Sequence, residues 1–116
     1  MEKSASPGVP TPRKDRPNVL PLDGEIDLNV LPNVTTALNE MIAKKPQKLV
    51  VDFSRVTYID SAGVAALIQA MQKVEVYGGK FALARLQETV RPIFEISRLD
   101  RVFQIFPDVG TVLNRV

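Results

Sequence analysis

The sequence predicts one α/β domain, with a mixed, mostly parallel β-sheet of about four to five strands and about four α-helices. Three observations predict it. Short apolar runs of strand length alternate along the chain with longer segments whose apolar residues recur at helical spacing. One short run, "KLVVDF" at residues 48–53, is almost continuously apolar, as expected of a strand buried on both faces of a parallel sheet. With 116 residues, 45% of them hydrophobic, the chain has material for a single core of modest size and not for a second domain.

The elements follow in order. Residues 1–17 hold four of the nine prolines, mixed with Ser, Thr and Gly, and are expected to form a disordered, Pro-rich basic tail ahead of a folded domain at 18–116. "VLPLDGEID" (19–27) reads as a strand ending in an acidic turn; Pro21 implies an edge or irregular position, because proline cannot donate to a ladder. In "LPNVTTALNEMIAKK" (31–45), Leu31, Val34, Leu38, Met41 and Ile42 share one helical face, Pro32 sits in the first turn, and Pro46 ends the helix. After the strand at 48–53 and a seven-residue link to Asp60, Ser61 opens a second helix reaching about Tyr77. Val64, Leu67, Ile68, Met71 and Val74 form its core stripe, and Gly78-Gly79 stops it. "KFALAR" is a further strand. "ETVRPIFEISRL" is a third helix, with Thr89 as cap and Pro92 among the early positions whose N–H groups lack an intrahelical partner. A short strand near "VFQIF" and a helix from about Asp108 complete the pattern.

Composition narrows the chemistry. The chain has no cysteine and no histidine, which removes thiol nucleophiles, disulfides, the usual zinc sites and every catalytic arrangement that needs an imidazole. No catalytic residue, metal site or cofactor is expected. The formal charge of +2 belongs to the first 17 residues, where Lys3, Arg13, Lys14 and Arg16 outnumber Glu2 and Asp15. The remainder balances at 11 basic and 11 acidic groups, so it offers no bulk field for nucleic acid, and no direct nucleic-acid contact is expected. No run approaches the roughly 18 apolar residues of a membrane span. The opening residues lack the apolar centre of a secretory signal, which predicts a cytoplasmic protein.

The stretch "VTYIDSAGVAAL" (56–67) carries the functional signal, and it has two readings. Ser61, immediately before an amphipathic helix, suits an N-cap worth about 1 kcal/mol against alanine. It also follows a buried strand, at the end of the sheet where α/β proteins place functional loops. Ala62, Gly63, Ala65 and Ala66 leave the helix start open to a protein partner. A phosphoryl group on Ser61 would add about −1.5 to −2 charges at a helix N-terminus that tolerates them, beside Asp60 and Asp27, which repel them.

"LDGEIDL", "LVVDFSRVTYIDSAGVAAL", "VYGGKFALA" and "VRPIFEISRLDRVFQIFPDVGTVL", in this order and spacing, resemble the bacterial anti-sigma-factor antagonist family, the STAS domain. The resemblance covers residues 19–113 and implies a STAS-like fold. It also implies partner switching. The dephosphorylated form binds an anti-sigma factor that is also a serine kinase of histidine-kinase-like ATPase fold, releasing a sigma factor. Phosphorylation of the D-S-x-G serine, here Ser61, breaks that complex, and a metal-dependent serine phosphatase restores it. The family's acidic G-E-L-D element falls on Gly24, Glu25, Ile26 and Asp27; Asp60 falls on the acidic residue before the serine, and Gly63 on the glycine. Ala62 stands where many members carry a second hydroxyl, leaving Ser61 alone in the motif. The family's short first strand finds only "TPRKDRP" in its place.

Two rivals remain at this level. Asp52, at the end of the 48–53 strand, suits a phospho-accepting carboxylate as in receiver domains, although Lys80 begins a strand rather than ending one, as such a site requires. A STAS domain also serves as an accessory subunit of lipid-transporting ABC systems, or as a scaffold in stress-sensing complexes. The D-S-x-G serine favours the switch, because a structural module needs only a cap at that position.

Overall fold

The computed structural model describes residues 6–11 and 16–115. Along the chain run β1 (Val19–Ile26), α1 (Leu31–Ala43), β2 (Lys48–Ile59), α2 (Ser61–Val76), β3 (Lys80–Ala84), α3 (Arg91–Ile96), a 3-10 turn (Leu99–Arg101), β4 (Gln104–Phe106) and α4 (Val109–Arg115). The four strands form one sheet in the order β1-β2-β3-β4, and every neighbouring pair is parallel. The strand, helix, strand alternation read from the sequence is the order observed. Pro21 lies in β1, which is an edge strand, and the first irregularity of the β1–β2 pairing follows it directly.

Period-two alternation divides the sheet into two unequal faces. Leu20, Leu22, Leu49, Val51, Phe53, Phe81 and Leu83 point into the larger core, against Val34 and Leu38 of α1, Val64, Leu67, Ala70 and Val74 of α2, and Phe94 of α3. Phe94 meets Phe53 and Phe103 edge-on, with ring centroids 6.0 and 5.9 Å apart, a geometry that adds electrostatic attraction to the burial. The other face buries Val19, Val50, Ala82 and Ala84 under Val109 and Val112 of α4, with Phe106 of β4 packed beside them.

Three expectations need correction. The link after residue 53 is strand: β2 runs on to Ile59 and pairs Arg55, Val56, Tyr58 and Ile59 with Asp23–Ile26 of β1. Two register shifts insert an extra β2 residue each, so Phe53, Val56 and Ile59, three apart, are all buried. Thr89 does not cap α3; Val90 holds that position without a side-chain bond, and its N–H, like that of Arg91, donates to the Gln87 carbonyl.

The third correction concerns the expected tail at 1–17. Residues 1–5 and 12–15 lie outside the described residues, but Ser6 and Val9 form a small antiparallel bridge. From there the Gly8 carbonyl accepts the Asp23 N–H at 2.9 Å, and Asn33 Nδ2 donates to the Pro7 carbonyl at 3.1 Å. Val9 is only 9% exposed and belongs to the larger core. Apolar burial of one valine plus two hydrogen bonds ties the segment to the free edge of β1 and to the first turn of α1.

Candidate functional site

Parallel pairing brings two acidic residues to one end of the sheet. Ile26 and Ile59 are the last register partners of β1 and β2, and the Asp60 N–H donates to the Ile26 carbonyl at 3.2 Å. Asp27 and Asp60 therefore leave adjacent strands side by side. Asp27 is half-buried and turns the chain into α1: its Oδ1 accepts the Asn29 N–H at 3.0 Å, and its carbonyl accepts those of Val30 and Leu31.

The helix cap is Asp60, not Ser61. Asp60 has extended backbone (φ −98°, ψ 179°), its Oδ1 accepts the Gly63 N–H at 2.9 Å, and its carbonyl accepts the Val64 N–H at 3.0 Å. A carboxylate satisfies a free helical N–H and also faces the positive end of the helix dipole, so it outcompetes the neighbouring hydroxyl for this position. Ser61 becomes the first residue of α2. It is exposed, and its hydroxyl has no hydrogen-bond partner among the described residues.

Gly63 fixes how closely the helix start approaches the sheet. A Cβ there would lie 2.7 Å from Ile59 Cγ1 and 3.2 Å from both Ile26 Cγ2 and the Ile26 carbonyl oxygen, all parts of buried residues. Only glycine lets α2 begin this tightly against the ends of β1 and β2. Ala62 is half-buried and Ala65 exposed, so the first turn presents little side-chain bulk around Ser61. Asp27, Asp60, Ser61, Ala62 and Gly63 thus occupy one end of the sheet.

Sequence reasoning missed two neighbours. Leu28 is 69% exposed in the turn after Asp27, and Tyr58 is 45% exposed in β2, two residues before Asp60. The available signal was the three-residue spacing of Val56 and Ile59, which turns Tyr58 away from the core. The rival carboxylate, Asp52, is not at a strand end. It lies inside β2, where its Oδ1 accepts the Ser54 N–H at 2.9 Å across the first register shift. No described helix is long and apolar enough to cross a membrane.

Comparison with known proteins agrees with this architecture. The profile of the STAS domain matches residues 9–112, which includes Val9 of the N-terminal segment. The chain is 33% identical over 98 residues to the anti-sigma-F factor antagonist RsfB of Mycobacterium tuberculosis, covering 84% of this chain and 80% of the relative. A crystal structure of an anti-sigma factor antagonist from Mycobacterium paratuberculosis superposes with a TM-score of 0.77 at 28% identity, over 84% of this chain and 83% of that one. The Bacillus cell fate determinant SpoIIAA, in its phosphorylated form, shares the fold with a TM-score of 0.65 at 22% identity, over 84% and 87% of the two chains. With a profile match that spans most of its length and a relative at this identity, the chain belongs to the STAS domain family.

Proposed function

We propose that this protein is an anti-sigma-factor antagonist that works by partner switching and catalyses no reaction itself. In its dephosphorylated form it binds an anti-sigma factor that is also a serine kinase of histidine-kinase-like ATPase fold, and so frees a sigma factor in the cytoplasm. Phosphorylation of Ser61 breaks the complex, and a metal-dependent serine phosphatase reverses it. The observation that carries this reading is the unemployed hydroxyl of Ser61: with Asp60 as cap, the serine has no structural task in the start of α2. The relatives named as anti-sigma factor antagonists support the same role.

The mechanism is electrostatic. A phosphoryl group on Ser61 adds about −1.5 to −2 charges next to Asp60, at the end of the sheet where Asp27 leaves the neighbouring strand. Burying that charge against a partner costs about 2 to 5 kcal/mol, a loss of affinity of roughly tens to thousands of fold. The test is intact-mass analysis with site mapping on protein from its native cells, in growth and under stress, followed by binding assays with Ser61→Ala and Ser61→Asp. A single phosphate on Ser61 whose occupancy changes, together with a partner retained by Ser61→Ala and lost by Ser61→Asp, is expected. An unmodified Ser61 in every condition, or equal binding by both variants, overturns the proposal.

A further inference from the structure

The sheet face under α4 is only partly covered, and the uncovered end is where two cations converge. α4 packs on Val19, Val50, Ala82 and Ala84. One step further along the same face, Pro21 of β1 and Asp52 of β2, together with Val19, Arg16 and Arg85, line a cavity of about 100 Å³. Arg16 immediately precedes the turn into β1, and its carbonyl accepts the Val19 N–H at 3.1 Å. Arg85 follows β3, and its N–H donates to the Phe106 carbonyl at 3.0 Å. Backbone bonds thus anchor both arginines at the rim.

Two features bear on what this place can bind. Among the described residues neither guanidinium makes a hydrogen bond or an ion pair, although Asp52 lines the same cavity and Asp108 lies close enough to feel Arg85 at longer range. Arg85 also has φ +63°, the left-handed region that costs a non-glycine residue about 1 kcal/mol or more. The other two such residues, Lys45 and Arg98, each stand just past the C-cap of a helix, where left-handed backbone is the ordinary way to stop. Arg85 ends a strand, so helix termination does not account for it.

We propose that Arg16 and Arg85 bind a phosphate-type dianion, free or as the phosphoryl end of a small monoester, with Asp52 accepting a hydrogen bond from a ligand hydroxyl. Two guanidinium forks match the charge and the oxygens of a tetrahedral dianion better than those of a monoanionic carboxylate. The open side of the cavity leaves room for the rest of a monoester. This site lies on the opposite face of the sheet from the core packed by α2, and it stands or falls independently of Ser61.

The full chain is titrated at constant ionic strength with inorganic phosphate, glycerol phosphate and acetate, following backbone amide shifts and heats of binding. Saturable shifts confined to the residues around Arg16, Asp52 and Arg85 are expected for both phosphates, with acetate weaker. Arg16→Gln and Arg85→Gln should each weaken phosphate about tenfold or more, the loss of charge-assisted hydrogen bonds, while Lys73→Gln, on α2 where its ammonium donates to Asn39 on the other side of the sheet, leaves it unchanged. Asp52→Asn removes a like charge from beside the dianion and should tighten inorganic phosphate, while glycerol phosphate, whose hydroxyl loses a charged acceptor, should gain less. Should Arg85→Gln fail to fold, Arg85→Lys, which keeps the charge and loses the fork, takes its place beside Arg16→Gln and should weaken phosphate as well. Shifts that spread over the surface without saturating, acetate binding as well as phosphate, or arginine variants that bind like the wild type overturn the proposal.

Discussion

Replacing Asp60 and Ser61 by alanine, one at a time, separates the structural part of the D-S-x-G element from the part left for function. The Asp60 carboxylate accepts the Gly63 N–H at 2.9 Å and is the cap of α2. Removing it leaves one helical N–H without its partner at a partly buried position and withdraws a negative charge from the dipole's positive end. The expected cost is about 1 kcal/mol, within the roughly 0.5 to 2 kcal/mol seen for cap deletions. For a domain of this size that lowers the melting temperature by about 4 °C. The Ser61 hydroxyl is exposed and makes no bond among the described residues, so its removal should stay within about 0.5 kcal/mol of wild type. Urea unfolding at neutral pH measures both, with an unchanged slope marking an unchanged unfolded state. If Ser61→Ala costs as much as Asp60→Ala, the serine is structural after all and its hydroxyl no longer points to a switch.

Two further substitutions probe the frame around the site. Gly63→Ala puts a methyl 2.7 Å from Ile59 Cγ1, so overpacking of about 1 to 3 kcal/mol should outweigh the helix-propensity gain of about 1 kcal/mol, giving a net loss in urea unfolding. In an Ile59→Ala background that loss should vanish or reverse; an undiminished loss would place the clash elsewhere. At the other end of the chain, the backbone N–H of Thr111, then its hydroxyl, and more weakly Arg85, hold the Asp108 carboxyl below its ordinary value of 3.8. A depressed carboxyl stabilises α4 fully above that ordinary value and loses the contribution as pH falls through the lower folded value. Amide-exchange protection at Thr111 should therefore drop as pH falls below the ordinary carboxyl value, and Asp108→Asn should flatten that dependence; the same profile in both proteins would contradict the linkage.

What the sequence made legible, and what it hid, follows from the range of the interactions involved. The order of elements, the α2 stripe from Val64 to Val74 and the helix stop at Gly78 (φ +85°) rest on local periodicity and on single-residue backbone preferences, and these are visible in a linear string. The second half of β2 was hidden because two register shifts turn its buried residues from period two to period three, a pattern that belongs to neither strand nor helix. The cap was misplaced by one residue because Asp60 and Ser61 are both good caps; the extended backbone of Asp60, with its carboxylate at the positive end of the dipole, decides between them. Val9 was lost for a different reason. A lone valine among prolines has no periodicity, and its burial depends on residues of the larger core far along the chain. The juxtaposition of Asp27 and Asp60, in contrast, follows from parallel pairing alone, so the acidic surroundings of Ser61 could be anticipated.

Giving the cap to Asp60 has a consequence for how a charge on Ser61 would act. The Gly63 N–H is already taken by the Asp60 carboxylate, but the N–H groups of Ser61 and Ala62, at the first two positions of the helix, lie in the turn that has no intrahelical acceptors. A phosphoryl group there gains those donors and the dipole, and loses to repulsion from Asp27 and Asp60, so the terms oppose each other. The backbone has little freedom to respond, because Gly63 seats α2 directly on Ile26 and Ile59. A new charge at this position then leaves the fold as it was and changes only what the surface can bury. The Ser61→Asp protein should accordingly keep its stability within about 0.5 kcal/mol of wild type in urea unfolding, and a large loss would mean that a charge at this position acts by loosening α2 instead.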